Sequence, residues 1–142
     1  MRLSKHSDYS LRVLMYLAIH QGKLCQISEI SQNFRVTKNN MIKVVNSLAK
    51  IGFIETIRGQ RGGILLKSDP STLTVGEIVR MTENNLELID CEGIHCPIVK
   101  GCVLKGALDE AMKAFLSVLD HVTLADIAQN RNFLIKALAG NN

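Results

Sequence analysis

The sequence predicts a mainly α-helical chain carrying one small β-hairpin, and three observations predict it. Apolar residues recur at three- and four-residue steps through most of the chain, which is the period of a helix buried on one face. Only Phe53 to Arg58 and Gly63 to Lys67 read as strands, and the glycine-rich Gly59-Gln60-Arg61-Gly62 between them reads as their turn. Beyond the hairpin the helical period returns and culminates in one long stripe from Val103 to Leu119. With 142 residues and 46% hydrophobic content, the chain is long enough for one core.

The elements follow in order. Ser7 to His20 places Leu11, Leu14, Met15 and Ala18 at helical spacing, with Ser7 or Asp8 as the N-cap and Gly22 just past the end. Ile27, Ile30 and Phe34 predict a short second helix over residues 27–33, ending near Arg35-Val36. From Lys38 to Ile51, Met41, Val44, Val45, Leu48 and Ile51 form one stripe, and Gly52 supplies the stop. The hairpin comes next, and Asp69-Pro70-Ser71 punctuates its end. Thr74 caps a helix to about Thr82, with Glu77 in the capping-box position. Asp90 to Gly101, with two glycines, Pro97 and two of the cysteines, is a loop. The long helix carries Leu104, Leu108, Ala111, Met112, Phe115 and Leu119 along one side, and shorter helical pieces occupy Thr123 to Ala128 and Asn132 to Leu138. Three helices followed by a hairpin make a winged helix-turn-helix, so residues 1–70 are expected to be a DNA-binding domain. Residues 71–102 then form a linking helix and cysteine-rich loop, and residues 103–142 the long helix and the C-terminal helices.

Charge supports that division. Residues 1–70 hold eleven Lys/Arg against four Asp/Glu, whereas residues 71–142 hold six against nine. A basic half joined to a mildly acidic one suits a polyanion-binding module attached to a module with another duty. On the polar face of the third helix, Lys38, Asn39, Asn40 and Lys43 carry the chemistry for reading a major groove, since Asn pairs bidentately with adenine and Lys donates to guanine or phosphate. Arg58, Gly59, Gln60 and Arg61 put two guanidiniums on a flexible tip suited to a minor groove or to phosphates. Arg12 on the first helix is a further candidate for DNA contact.

Apolar runs fall far short of the roughly 20 residues a membrane span needs, and no basic-then-apolar leader is present, so a cytoplasmic protein is expected. In a reducing compartment, close-spaced cysteines serve as metal ligands or redox groups more often than as disulfides. Cys91, Cys96 and Cys102 stand in a C-x4-C-x5-C pattern with His95 inside it, while Cys25 stands apart as a small buried hydrophobe. Thiolates suit iron-sulfur clusters and zinc. His95 would complete a Cys3His zinc site, but the paired C-x2-C knuckles of zinc ribbons are missing and the wider gaps match a cluster better. An iron-sulfur cluster, zinc and redox-active thiols all stay open on spacing alone. No Ser-His-Asp arrangement, P-loop or dinucleotide motif is present, and His6, His20, His95 and His121 form no spaced constellation, so an enzyme is not expected.

Taken together, the residues resemble the family of small winged-helix iron-sulfur transcriptional regulators. The likeness lies in Met1-Arg2-Leu3 leading to Ser7 to Arg12, the Arg58 to Gly63 hairpin, the Thr74 to Val79 helix start, the three-cysteine loop and Thr123 to Ile127. Lys105 stands where the cluster-biogenesis regulators of the family carry a histidine ligand, and the cysteine spacing is similar to that of the nitric-oxide-sensing repressors. The resemblance implies an iron-sulfur cluster, 4Fe-4S in preference to 2Fe-2S, on Cys91, Cys96 and Cys102, with Asp8 of a second subunit as fourth ligand. It implies a homodimer through the long helix on an inverted-repeat DNA operator, with nitric oxide as the signal whose attack on the cluster relieves repression of detoxification genes. An iron- or oxidation-sensing regulator of the same fold is the alternative, and a cluster carrier or electron-transfer protein is the alternative of another class.

Overall fold

The computed structural model describes residues 2–139. Helix α1 (Lys5–Ile19) begins two residues before the sequence reading. Ser4 is its N-cap, with its hydroxyl accepting from the Ser7 amide at 3.1 Å, so neither Ser7 nor Asp8 caps it. Ser7 is instead a buried residue within the first turn. The predicted stripe is also narrower than the observed one, for Val13, Leu14, Tyr16, Leu17 and Ile19 are all buried, while Leu11, Met15 and Ala18 are half-buried. The reason is position, because α1 packs against the third and fourth helices, the last two helices and the second strand of the hairpin.

Helices α2 (Ile27–Asn33) and α3 (Lys38–Ile51) form as the spacing predicts, with Ile30, Met41, Val44, Val45 and Leu48 in the core. Left-handed Gly52 ends α3. Strands β1 (Ile54–Ile57) and β2 (Gly63–Leu66) pair antiparallel, with Ile54 opposite Leu66 and Ile57 opposite Gly63. Outside the hairpin, Cys25 exchanges both backbone hydrogen bonds with Ile64 at 2.9 Å and so adds a one-residue rung to the sheet.

Helix α4 (Val75–Thr82) is capped by Thr74, whose hydroxyl accepts from the Glu77 amide at 3.1 Å, but the reciprocal bond of the expected capping box is not made. The complete box lies later, where Thr123 and Asp126 satisfy each other's amides at the start of α6 (Leu124–Ile127). Between them run a short 3-10 turn at Val99–Gly101 and helix α5 (Val103–Asp120), and α7 (Arg131–Ala139) closes the described chain. The α6 segment is tied back to the chain before α4. Val75 donates to Val122, Leu124 to Leu73 and Ala125 to Pro70, each at 2.8 Å, and Arg80 holds Asp120 through two bonds of 2.5 and 2.7 Å.

A second apolar cluster, of Val75, Val79 and Leu116 with Met112, Phe115 and Leu119, fastens α5 to α4. Much of the rest of α5 is uncovered, Ala111 of the predicted stripe included, while Leu108 is half-buried. Leu104, predicted on the buried side, is 62% exposed, and Val103 and Val118 are 86% and 66% exposed. Among the described residues, no helix is long and apolar enough to cross a membrane.

The Thr123 box closes the turn that returns the C-terminal helices to the head, so Thr123→Ala is expected to cost about 1–2 kcal/mol. A urea midpoint equal to that of the unmutated protein would show that the box contributes nothing.

Candidate nucleic-acid interface and metal centre

The polar face of α3 faces solvent. Lys38, Asn39, Asn40 and Lys43 are all exposed, because the opposite side of the helix supplies the core residues that pin α3 against α1 and α2. Thr37, the N-cap of α3, makes no side-chain bond to the helix, so the first-turn amides are not closed by a cap. A helix start of that kind, next to Lys38, suits a phosphate oxygen.

The hairpin tip is built by its glycines. Gly59 has φ +114°, a left-handed conformation that other residues adopt only under strain, and the Gly62 amide returns to the Gly59 carbonyl at 3.0 Å. A side chain on Gly62 would run into the Ile57 carbonyl, so the return strand passes close beneath the tip only because this residue has none. Arg58, Gln60 and Arg61 on this turn are all exposed. A cleft of about 280 Å³ separates tip and head, and its walls include Lys38 on one side and Gly59 on the other. The tertiary structure thus brings the start of α3 and the tip of the hairpin to one groove. It also places there Gln26, Ser28 and Thr56, which sequence reasoning missed. Their only sequence signal was polarity at the edge of an element, which many residues share.

Arg12 is engaged elsewhere and does not line the cleft. Its Nε bonds the Asp8 carboxylate at 2.8 Å, and its guanidinium lies 5.7 Å from the centre of the Phe34 ring. Asp8, relieved of any capping role by Ser4, is a half-exposed carboxylate on the first turn of α1.

All three loop cysteines are free thiols. Cys91 is buried at 7% exposure, while Cys96 and Cys102 are partly exposed. The loop is turned by the Asp90 carboxylate accepting from the Gly93 amide at 2.7 Å, and the Cys96 amide donates to the Cys91 carbonyl at 3.0 Å. Exposed His95 sits in a left-handed conformation with Nδ1 3.3 Å from the Gly93 carbonyl. Cys102 has a second role as the N-cap of α5, its sulfur accepting from the Lys105 amide at 3.4 Å. Burial pushes the Cys91 thiol up from the ordinary range, and negative charge on Cys96 and Cys102 would push it further. Among the described residues, no three His, Cys, Asp or Glu side chains converge closely enough to grip a metal ion. The donor set nevertheless fits a thiolate-ligated centre in kind, with three soft sulfurs free of any disulfide in one short loop, one short of the usual four ligands. Cys25 lies apart from the loop as expected. Burial first, and then the Glu29 carboxylate, push its thiol up to about 11, so it remains protonated at neutral pH.

Residues 3–130 match the family described as Rrf2, iron-dependent transcriptional regulator. The chain is 41% identical over 142 residues to the HTH-type transcriptional regulator NsrR of Bacillus subtilis strain 168, covering 97% of each chain. It is 42% identical over 135 residues to NsrR of Geobacillus kaustophilus, covering 92% of each. Among solved structures it is similar to CymR, the global cysteine regulator of B. subtilis, with TM-score 0.73 and 25% identity over 91% of this chain and 97% of that one. IscR of T. potens shares the fold, with TM-score 0.74 and 24% identity over 92% and 88% of the two chains.

Proposed function

This chain belongs to the Rrf2 family of transcriptional regulators, and from that membership we propose that it is a repressor controlled by an iron-sulfur cluster on Cys91, Cys96 and Cys102, with nitric oxide as the signal. The observation that carries the reading is the double placement of Cys102, which belongs to the three-thiol loop and also caps the helix that leaves it. The relatives called NsrR, matched over nearly the whole chain, favour the nitric-oxide branch of the resemblance. Lys105 favours it too, because its ammonium is held by Asp109 at 2.7 Å and offers no ligand where another branch has a histidine.

The proposed assembly is a homodimer through α5, because Val103, Leu104 and Val118 lie on this helix in contact with water and a second copy would cover them. Two heads would then meet an inverted repeat, with half-sites one helical turn apart, about 34–36 Å. Asp8 of a second copy is the proposed fourth ligand. When bound, a 4Fe-4S or 2Fe-2S cluster supplies irons that take nitric oxide as a ligand. The chain's own residues carry the consequence. Cys91, Cys96 and Cys102 draw the loop inward, and Cys102 passes a change at its sulfur to the first turn of α5. The Arg80–Asp120 pair and the Leu73–Leu124 bond pass movement of α5 on to the head. A bias of about 1–3 kcal/mol between competent and incompetent dimers changes occupancy about 5- to 150-fold, so modest leverage suffices.

The test uses operator DNA selected from a random pool by protein loaded and kept without oxygen. Nitric oxide is expected to lower the affinity of the loaded protein for that DNA at least about tenfold. Unchanged affinity would overturn the sensing mechanism and leave a regulator of another signal.

A further inference from the structure

Gln26 occupies the N-cap position of α2, with φ −88° and ψ 138°, yet its side chain makes no bond to that helix. Its Nε2 instead donates across the cleft to the carbonyl of Gly62, 36 residues on, at the base of the wing turn. Its neighbour Cys25 is the residue that pairs with Ile64 through two bonds of 2.9 Å. Between those anchors Gly63 passes so near that a Cβ on it would lie 2.8 Å from the Cys25 carbonyl oxygen and 3.4 Å from Gln26 Nε2. Two consecutive residues ahead of α2 therefore hold the return strand of the hairpin. That hold matters because β1 and β2 pair over only four residues each, and a lone two-stranded ribbon is marginal in water. Arg58 and Arg61 stand beyond the last rung, so their place relative to α3 depends on what fixes Gly62 to Ile64 against the head.

We propose that Gln26 is a positioning residue for DNA binding, setting the separation between the wing arginines and α3 through its bond to the Gly62 carbonyl. The proposal rests on the DNA-binding reading above. The Cys25 bonds are backbone to backbone and hold one end of β2, whereas the Gln26 amide holds the turn from which the arginines spring. Without it the tip pivots about the Ile64 rung, and the two guanidiniums must be ordered anew at each binding event.

The experiment is a double-mutant cycle on selected operator DNA, with Gln26→Met as a donor-free side chain of similar length and Gln26→Ala as the second variant. With the wing intact, Gln26→Met is expected to weaken binding about tenfold. In an Arg58→Ala/Arg61→Ala background the same change is expected to cost less than about twofold, because nothing is left for the clamp to position. Hydrogen exchange of the free protein supplies a reading without DNA, with faster exchange expected at residues 62–64 and none of the change in α3. An equal loss in both backgrounds would show that Gln26 touches DNA itself and would overturn the positioning role, as would full affinity in the intact wing. If the unmutated protein bound neither selected nor random DNA, the DNA-binding reading would fail first, a result distinguishable from either.

Discussion

Alanine at Cys91, Cys96 or Cys102 is expected to give a colourless, iron-poor protein when made without oxygen, and to lower operator affinity at least about tenfold. A three-thiol loop has no spare ligand, so each sulfur counts. The three variants should nevertheless separate by their second roles. Cys91 is buried, and its loss removes packing as well as a ligand. Cys102 caps α5, and alanine there also leaves the Lys105 amide without its partner. Serine is a good cap and a poor soft ligand, so Cys102→Ser is expected to keep α5 intact while losing the iron. Iron and sulfide counts with visible absorption read the first effect, and hydrogen exchange over residues 103–106 reads the second. Three alanine variants that kept full colour and full affinity would remove the cluster from these residues.

The second large effect is expected on DNA. Asn39→Ala and Asn40→Ala should relax discrimination at particular base pairs by about 1–3 kcal/mol each, since bidentate amide bonds to base edges carry sequence information. Arg58→Ala and Arg61→Ala should weaken binding to all sequences, and the salt slope should fall by about one unit for each phosphate that is no longer neutralised. The structure makes this contrast specific. The asparagines stand on a helix braced by Met41, Val44, Val45 and Leu48, whereas the arginines stand on a turn braced by glycine geometry and by Gln26. Binding titrations at several salt concentrations, on selected and random DNA, distinguish the two. Equal loss on both DNAs for the asparagine variants would place α3 away from the base edges.

The candidate site was legible in the sequence wherever its chemistry is local. Three cysteines within twelve residues, two arginines in a glycine turn and an amide-rich helix face announce themselves by residue type and spacing. Gln26 did not, because its partner is 36 residues away and nothing near either residue marks the pairing. The isolation of Cys25 in the sequence suits its burial, but nothing local marks its bond to Ile64, for the same reason. Thr-x-x-Glu predicts the capping box at Thr74, whereas the complete box forms at Thr123, where Asp126 returns its bond to the cap residue.

The sequence by itself determined which segments are helices, where the hairpin turns and which half of the chain is basic, because periodicity, glycine conformation and charge depend on residues a few positions apart. Only the tertiary structure decided that α1 is enclosed on nearly every side, that α5 leaves Val103, Leu104 and Val118 in water, and that Gln26 reaches the wing. Spacing tells which face of a helix can be buried, but the neighbours that bury it come from distant parts of the chain, and their arrival is settled by packing of the whole core.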